Sequence, residues 1–320
     1  MNGNIWVGVL AFLITLVGMP PLIKFLRQSK EQAVIRKLGP DHQAKAGTPS
    51  MGGALFVAAA IIATLVMPSS YANWASFTWT LTLILAMGSY AVIGGIDDAL
   101  KLINHADDGF AFKPKLLAQT LSALAVLVLM WALHLPFVIT LPWLGSVNLG
   151  IFYIFFLWFW LVGWSNATNL TDGLDGLLTG CAIVVYGAYT WIAVIRHNPS
   201  IVTFNVAVIA ALLAFMIYNH PKAKIFMGDT GSLALGAGLA IESILLHASI
   251  SLLWFGLIFV IETLSVIIQT LSYHFFKKRV FPMAPIHHSF EKWGWSEWQI
   301  DFLFWGICLV LALTGVHFIY

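Results

Sequence analysis

Residues 78–101 read TWTLTLILAMGSYAVIGGIDDALK. The stretch over 78–96 is almost entirely apolar, and it ends in two adjacent carboxylates, Asp97 and Asp98, with Lys101 close behind. A helix needs about 20 mostly apolar residues to cross a bilayer, so this run is long enough. A carboxylate within the membrane costs about 2.5–3.5 kcal/mol on the insertion scale. Two side by side also repel each other unless a cation or a proton lies between them. The pair therefore marks either solvated caps on a helix that has already emerged, or a site at the membrane surface that needs two acids.

Composition extends the same reading to the whole chain. Of 320 residues, 60% are hydrophobic and 9% charged. Soluble domains carry about 25% charged residues, so a soluble globular domain is excluded and a polytopic all-α membrane protein is expected. The net charge of +2 is small, and no basic stripe interleaves with aromatics, which argues against a nucleic-acid partner. Cys181 and Cys308 both sit inside apolar runs and read as buried free thiols. Met1–Asn4 lacks the basic region of a cleaved leader, so the first apolar run is read as a span.

Ten runs are apolar enough to read as spanning helices: 4–25, 51–67, 78–96, 115–134, 149–167, 175–195, 201–218, 232–248, 251–275 and 299–319. The second is short, and the ninth is long enough to tilt or break. With both termini outside, the inner segments are 24–50, 97–115, 168–174, 219–231 and 276–298. They hold 15 of the 16 Lys and Arg residues, Arg196 being the exception. This is the distribution that the positive-inside rule requires, and one miscounted helix would scatter it. The outer loop 135–148, LPFVITLPWLGSVN, has alternating β-formers and a Gly-Ser turn, as in a small hairpin. One domain over 1–320 is expected.

The polar chemistry gathers on the inner segments. Asp97, Asp98 and Lys101 form D-D-x-x-K, and on a helix the lysine shares a face with both acids. A carboxylate pair beside a lysine suits Mg²⁺ and a diphosphate, since Mg²⁺ is held by one or two carboxylates together with substrate phosphates. Asp107 and Asp108 read as solvated turn residues, and Lys113 and Lys115 open the fourth helix. Lys45 precedes a Gly-Thr-Pro-Ser-Met-Gly-Gly stretch at 47–53, where exposed backbone N–H groups and a hydroxyl at a helix start suit a phosphate or simply cap the helix. Residues 166–176 pack Asn169, Asp172, Gly173 and Asp175 between two spans, as a polar pocket or as ordinary helix caps. Asp229 stands between Gly228 and Thr230 at a helix N-terminus, in a segment that also carries Asn219 and Phe226. Pro282 and Pro285 rigidify a loop bearing His287 and His288. Glu242 and Glu262 lie deep in apolar runs with nothing basic in their own helices, so a functional and a structural role remain equally open.

Five motifs, in order, resemble the polyprenyl-phosphate hexosamine-1-phosphate transferases, and within them the MraY family of bacterial phospho-N-acetylmuramoyl-pentapeptide transferases. They are Gly-Thr-Pro-Ser-Met-Gly-Gly at 47–53, Asp-Asp-x-x-Lys at 97–101, Asn-Leu-Thr-Asp-Gly-Leu-Asp-Gly at 169–176, Met-Gly-Asp-Thr-Gly-Ser at 227–232 and Pro-Ile-His-His at 285–288. The chain departs from the family pattern at Ser289, where a third histidine is usual, and at Ser50, where threonine is usual. It also departs in the compact segment Trp293–Trp298.

The resemblance implies transfer of phospho-N-acetylmuramoyl-pentapeptide from its UDP carrier to undecaprenyl phosphate, with release of UMP, at a bacterial cytoplasmic membrane. It implies Mg²⁺ as cofactor with Asp229 as its ligand, Asp97 orienting or deprotonating the lipid phosphate, and Asp98 as its helper. Lys45, Lys101 and Lys113 would neutralise phosphates. Asn169, Asp172, Gly173, Asp175 and Phe226 would form the nucleoside pocket, and His287 and His288 would hold a phosphate or the sugar. Ser50, Asn219, Gly228 and Gln269 join the substrate-binding candidates, and a homodimer is implied. A relative using UDP-N-acetylglucosamine is the nearer alternative. A lipid or ion transporter is the more distant one, and it would spread its acids through the bilayer depth rather than gather them at one face.

Overall fold

The computed structural model describes residues 2–28, 47–104, 109–141 and 145–319. The helices are α1 (Asn2–Gln28), α2 (Gly52–Val66), α3 (Trp74–Asn104), α4 (Phe112–Ala132), α5 (Tyr153–Thr171), α6 (Leu177–Ile195), α7 (Pro199–Asn219), α8 (Gly228–Leu245), α9 (Leu252–Phe255), α10 (Leu257–Phe276), α11 (His287–Lys292) and α12 (Glu297–Ile319). All ten expected runs are helical. Among the described residues, eight helices are long and apolar enough to cross a membrane. The other two expected spans are α2, which is 15 residues long, and α8.

α8 explains its own weak hydropathy. Every residue from Thr230 to Leu245 is buried, so the helix faces other helices rather than lipid and needs no apolar outer surface. Its small residues let neighbours approach closely. A Cβ on Gly53 of α2 would overlap the backbone of Gly231, and one on Gly94 of α3 would overlap the Asp229 carbonyl. Small residues at such crossings are the membrane equivalent of interlocking core side chains. The Thr168 hydroxyl of α5 also donates to the Ser232 carbonyl at 2.8 Å. α3, α5 and α2 thereby clamp α8, and its N-terminal turn is held in a fixed place.

The ninth expected run breaks at Gly256 into α9 and α10. α10 is buried at Ile258, Phe259, Glu262 and Ser265 and largely exposed from Ile267 onward. The outer loop forms the expected hairpin, with β1 (Val138–Leu141) antiparallel to β2 (Gly145–Asn148), pairing Val138 with Asn148 and Leu141 with Gly145. Cys181 and Cys308 are buried free thiols. Lys45, Asp107 and Asp108 lie outside the described residues.

Candidate active site

The two adjacent aspartates of α3 face different partners. Asp98 is buried against the first turn of α8. The backbone N–H of Asp229 donates to its Oδ1 at 3.0 Å, and Oδ2 accepts from the Thr230 N–H at 2.9 Å and the Thr230 hydroxyl at 2.7 Å. Past the apolar run of α3, burial and the neighbouring Asp229 charge push the Asp98 carboxyl up to about 6, and the hydrogen bonds from the helix N-terminus offset part of that rise. Gly228 makes room for it: φ is +77°, and a Cβ there would press on the Asp98 carboxylate and the Ser50 hydroxyl.

Asp97 turns the other way, toward Asp229. Lys101 Nζ lies 2.5 Å from Asp97 and 3.3 Å from Asp229, and Lys115 Nζ lies 3.4 Å from Asp97 and 2.6 Å from Asp229. Two ammonium groups thus bridge two carboxylates. The remaining Asp229 oxygen accepts from Asn169 Nδ2 at 2.8 Å, and the same amide donates to the Ser232 hydroxyl at 2.9 Å. Asp97 Oδ1 accepts from the Phe110 N–H at 3.0 Å. Asp229 lies ahead of the apolar run in α8. Burial alone would push its carboxyl up, but Lys101 and Lys115 outweigh burial and hold it well below the usual carboxylate range. It is therefore ionised at neutral pH.

Oxygens of Asp97, Asp98 and Asp229 lie within 4.8 Å of one another, close enough to share a metal ion. Asp98 gives both oxygens to the backbone and hydroxyl donors of α8, whereas Asp97 and Asp229 are held largely by the long side chains of Lys101 and Lys115. A metal ion that displaced a lysine would therefore take its oxygens from Asp97 and Asp229. One or two carboxylates, with the remaining positions open to substrate phosphates and water, is the set Mg²⁺ prefers. The residues present fit that ion.

The candidate nucleoside residues surround the same end of the bundle. Asn169 joins the carboxylate cluster directly. Asp175 accepts from the Ala223 N–H at 2.9 Å, tying the α5–α6 loop to the α7–α8 loop. Asn219 is buried. It accepts from the Gly176 N–H at 3.2 Å and the Thr179 hydroxyl at 2.7 Å, and it donates to the Ile225 carbonyl at 3.1 Å, so its amide fastens these loops from within. Phe226 is half-buried, and its neighbours pair with the 49–53 stretch: Phe226 N–H donates to Pro49 O at 2.8 Å, and the N–H groups of Gly52 and Gly53 donate to Phe226 O and Met227 O, each at 2.9 Å. Asp172 is half-buried and Gly173 exposed at the rim.

The histidine loop reaches in from the far end of the sequence. His287 is fully buried, with Nδ1 3.1 Å from Oε2 of the equally buried Glu262. Its Nε2 lies against Gly173, where any Cβ would collide with the ring. His288 is half-buried, with Nδ1 2.6 Å from Glu291. Ser289 exchanges hydrogen bonds with Met283, at 2.6 Å to its carbonyl and 3.2 Å from its N–H, so this residue braces the loop. Gln269 of α10 does likewise, accepting from Val280 and Phe281 at 2.9 and 3.1 Å and donating to the Phe281 carbonyl at 3.1 Å. Lys113 is exposed, and it is Lys115 that joins the carboxylates. Lys115 and Glu262 were absent from the expected site. The available signals were a second lysine two residues from Lys113, and an intramembrane acid with no base in its own helix.

The model of glycosyl transferase family 4 matches residues 79–247, and a phospho-N-acetylmuramoyl-pentapeptide-transferase signature matches residues 45–57. Curated proteins named phospho-N-acetylmuramoyl-pentapeptide-transferase are similar over the whole length. One from Leuconostoc citreum is 67% identical and one from Leuconostoc mesenteroides 65% identical, with 99% of each chain covered in both cases. Another, from Lactiplantibacillus plantarum, is 47% identical with 99% of each chain covered. The chain belongs to the phospho-N-acetylmuramoyl-pentapeptide transferase family. It is a multi-pass bacterial membrane protein and a transferase. The family signature covers the 49–53 stretch that pairs with Phe226 and Met227, so it falls on the strand of chain that seats the first turn of α8.

Proposed function

We propose that the chain transfers phospho-N-acetylmuramoyl-pentapeptide from UDP-N-acetylmuramoyl-pentapeptide to undecaprenyl phosphate, giving lipid I and UMP for peptidoglycan synthesis. Full-length similarity to proteins of that name supports the substrates. The observation that carries the chemistry is the pair Asp97 and Asp229 bridged by Lys101 and Lys115 at one end of an apolar bundle. A lipid phosphate and a soluble nucleotide can meet only at such a surface.

Phosphoryl transfer is mainly positioning and charge stabilisation. Lys101 and Lys115 neutralise the incoming phosphates. Asp97 orients the lipid phosphate; a phosphate monoester is already partly dianionic at neutral pH, so little proton abstraction is required of it. Asp98 is a positioning residue that fixes the turn carrying Asp229. Asp229, with Asp97 beside it, would hold Mg²⁺, which when bound neutralises charge on the diphosphate. Asn169, Asp172, Gly173 and Phe226 form the nucleoside pocket, while Asp175, Asn219 and Gln269 keep its loops in place. Ser50, Gly228, Lys45, Lys113 and His288 remain substrate-binding candidates. The same reading has one domain of ten spans with both termini outside, as the basic residues favour, and a homodimeric assembly.

UMP release in detergent and lipid tests the reading. We expect UMP only when undecaprenyl phosphate and UDP-N-acetylmuramoyl-pentapeptide are both present. Release with UDP-N-acetylglucosamine instead would shift the assignment to the related transferases, and no release with either sugar would favour the transporter.

The buried contact with Glu262 makes a second prediction. Glu262 holds His287 with Nδ1 inward and Nε2 toward the Gly173 loop, as carboxylates orient functional histidines elsewhere. Glu262→Gln is expected to lower kcat/KM about 10–100-fold. The same change made in a His287→Ala background should cost little more, because the two act as one unit. Additive losses would show that Glu262 works independently of His287.

A further inference from the structure

A second feature, an apolar groove rimmed by cations, lies at the same end of the bundle but outside the carboxylate cluster. The groove, of about 540 Å³, opens where α1 ends against α7 and the α7–α8 loop. Pro20, Ile23 and Tyr218 supply its apolar walls, and Lys24, Arg27 and Lys224 line it. None of these three cations has an acidic partner among the described residues. The groove is braced from within: the Tyr218 hydroxyl donates to the Leu16 carbonyl at 3.0 Å, the Lys224 N–H donates to the Tyr218 carbonyl at 2.8 Å, and Lys224 Nζ stands 5.9 Å from the Tyr218 ring centre. A cation near an aromatic face is held in place by the ring quadrupole.

Three like charges around one concavity repel one another unless an anion joins them. What lies below identifies the kind of anion. On α1, Val9, Leu13 and Val17 are exposed and apolar. Their spacing of four, with Lys24 seven residues beyond Val17, puts all four on one helix stripe. The stripe runs from the groove toward the middle of the apolar bundle. A ligand with a phosphate at its head and acyl chains behind it satisfies both parts, whereas a soluble phosphate uses only the first.

We propose that this groove binds the phosphate headgroup of an anionic phospholipid from the leaflet at the catalytic end, with its acyl chains along α1. Basic groups near an anionic membrane surface contribute about 1 kcal/mol each, and three around one open groove direct that attraction to one molecule. The loop carrying Lys224 continues through Phe226 to Asp229, so an occupied groove would brace the segment that leads into the catalytic turn.

The test uses the full chain, delipidated in neutral detergent. It is titrated with phosphatidylglycerol and, separately, with phosphatidylcholine of the same acyl chains, and bound lipids are counted by native mass spectrometry. One phosphatidylglycerol is expected to bind at least about 10-fold more tightly than phosphatidylcholine. The variant Lys24→Gln/Arg27→Gln/Lys224→Gln should weaken that binding by on the order of 10²-fold. The variant Lys277→Gln/Lys278→Gln/Arg279→Gln removes the same charge beyond α10 and should bind as the parent does. UMP release in neutral detergent checks that both are folded. If the first variant fails that check, Lys224→Gln alone should still weaken phosphatidylglycerol about 5-fold. Equal affinity for the two lipids, equal weakening in the two triple variants, or displacement of the lipid by inorganic phosphate would each overturn the proposal.

Discussion

Asp229→Asn is expected to lower transfer by on the order of 10²–10³-fold or more while leaving the protein folded. The carboxylate has three neighbours that matter: Asn169 on one oxygen, and Lys115 and Lys101 on the other. An amide of the same shape can keep its oxygen on Asn169, but its NH₂ group then faces two ammonium groups. The lysines lose half of their bridge and settle on Asp97, and the metal-competent pair is reduced to one carboxylate. Binding of the nucleotide and stabilisation of charge on the leaving UMP weaken together. The fold should survive, because α8 is held by Asp98, Gly53, Gly94 and Thr168 rather than by the Asp229 side chain. The comparison to make is UMP release against the thermal midpoint in detergent. Full activity in this variant would remove Asp229 from the site, and a collapsed midpoint would show that its charge holds the bundle together.

Much of this site is visible in the sequence because membrane insertion is costly. Acids and bases stay out of apolar runs unless something needs them, so the inner segments stand out and Asp97, Asp98 and Asp229 can be found by inspection. The adjacent histidines are a weak signal, and His287 is reached only through the resemblance of its loop motif. What the sequence leaves open depends on helix phase and on loop path. Lys113 and Lys115 flank Pro114, and the turn of about 100° per residue puts residues two apart on nearly opposite faces. Reading the helix from 115 leaves the choice between them open. The helix actually starts at Phe112, and Lys115 is the one that faces α3. Glu262 and His287 are 25 positions apart, and only the fold of the 277–286 loop brings them to 3.1 Å. The span count differs for another reason. Hydropathy measures suitability for lipid, and α8 is buried among other helices, so its glycines and Glu242 lower its score, while α2 falls short by length alone, at 15 residues.

The adjacent aspartates differ most in what their loss should do, and Asp98 is the case where stability and activity should fall together. Its two oxygens receive two backbone N–H groups and a hydroxyl from the first turn of α8, in a buried setting. Leaving a buried donor without an acceptor costs about 1–3 kcal/mol. Asp98→Ala strands the two backbone donors beside an empty space, while the Thr230 hydroxyl can rotate to another acceptor, so a loss of roughly 2–6 kcal/mol is expected, with a lower thermal midpoint in detergent. Activity should fall as well, by on the order of 10²-fold, because the freed turn no longer aims Asp229 at the lysine bridge. Asp98→Asn retains one acceptor and turns the other oxygen into a donor that opposes an N–H, so it should lie between Asp98→Ala and the parent in both measurements. The two quantities moving in step across the series is the signature of a positioning role. If Asp98→Asn instead abolished UMP release at an unchanged midpoint, the carboxylate would be touching substrate or metal itself, and the division of labour between Asp97 and Asp98 would have to be redrawn.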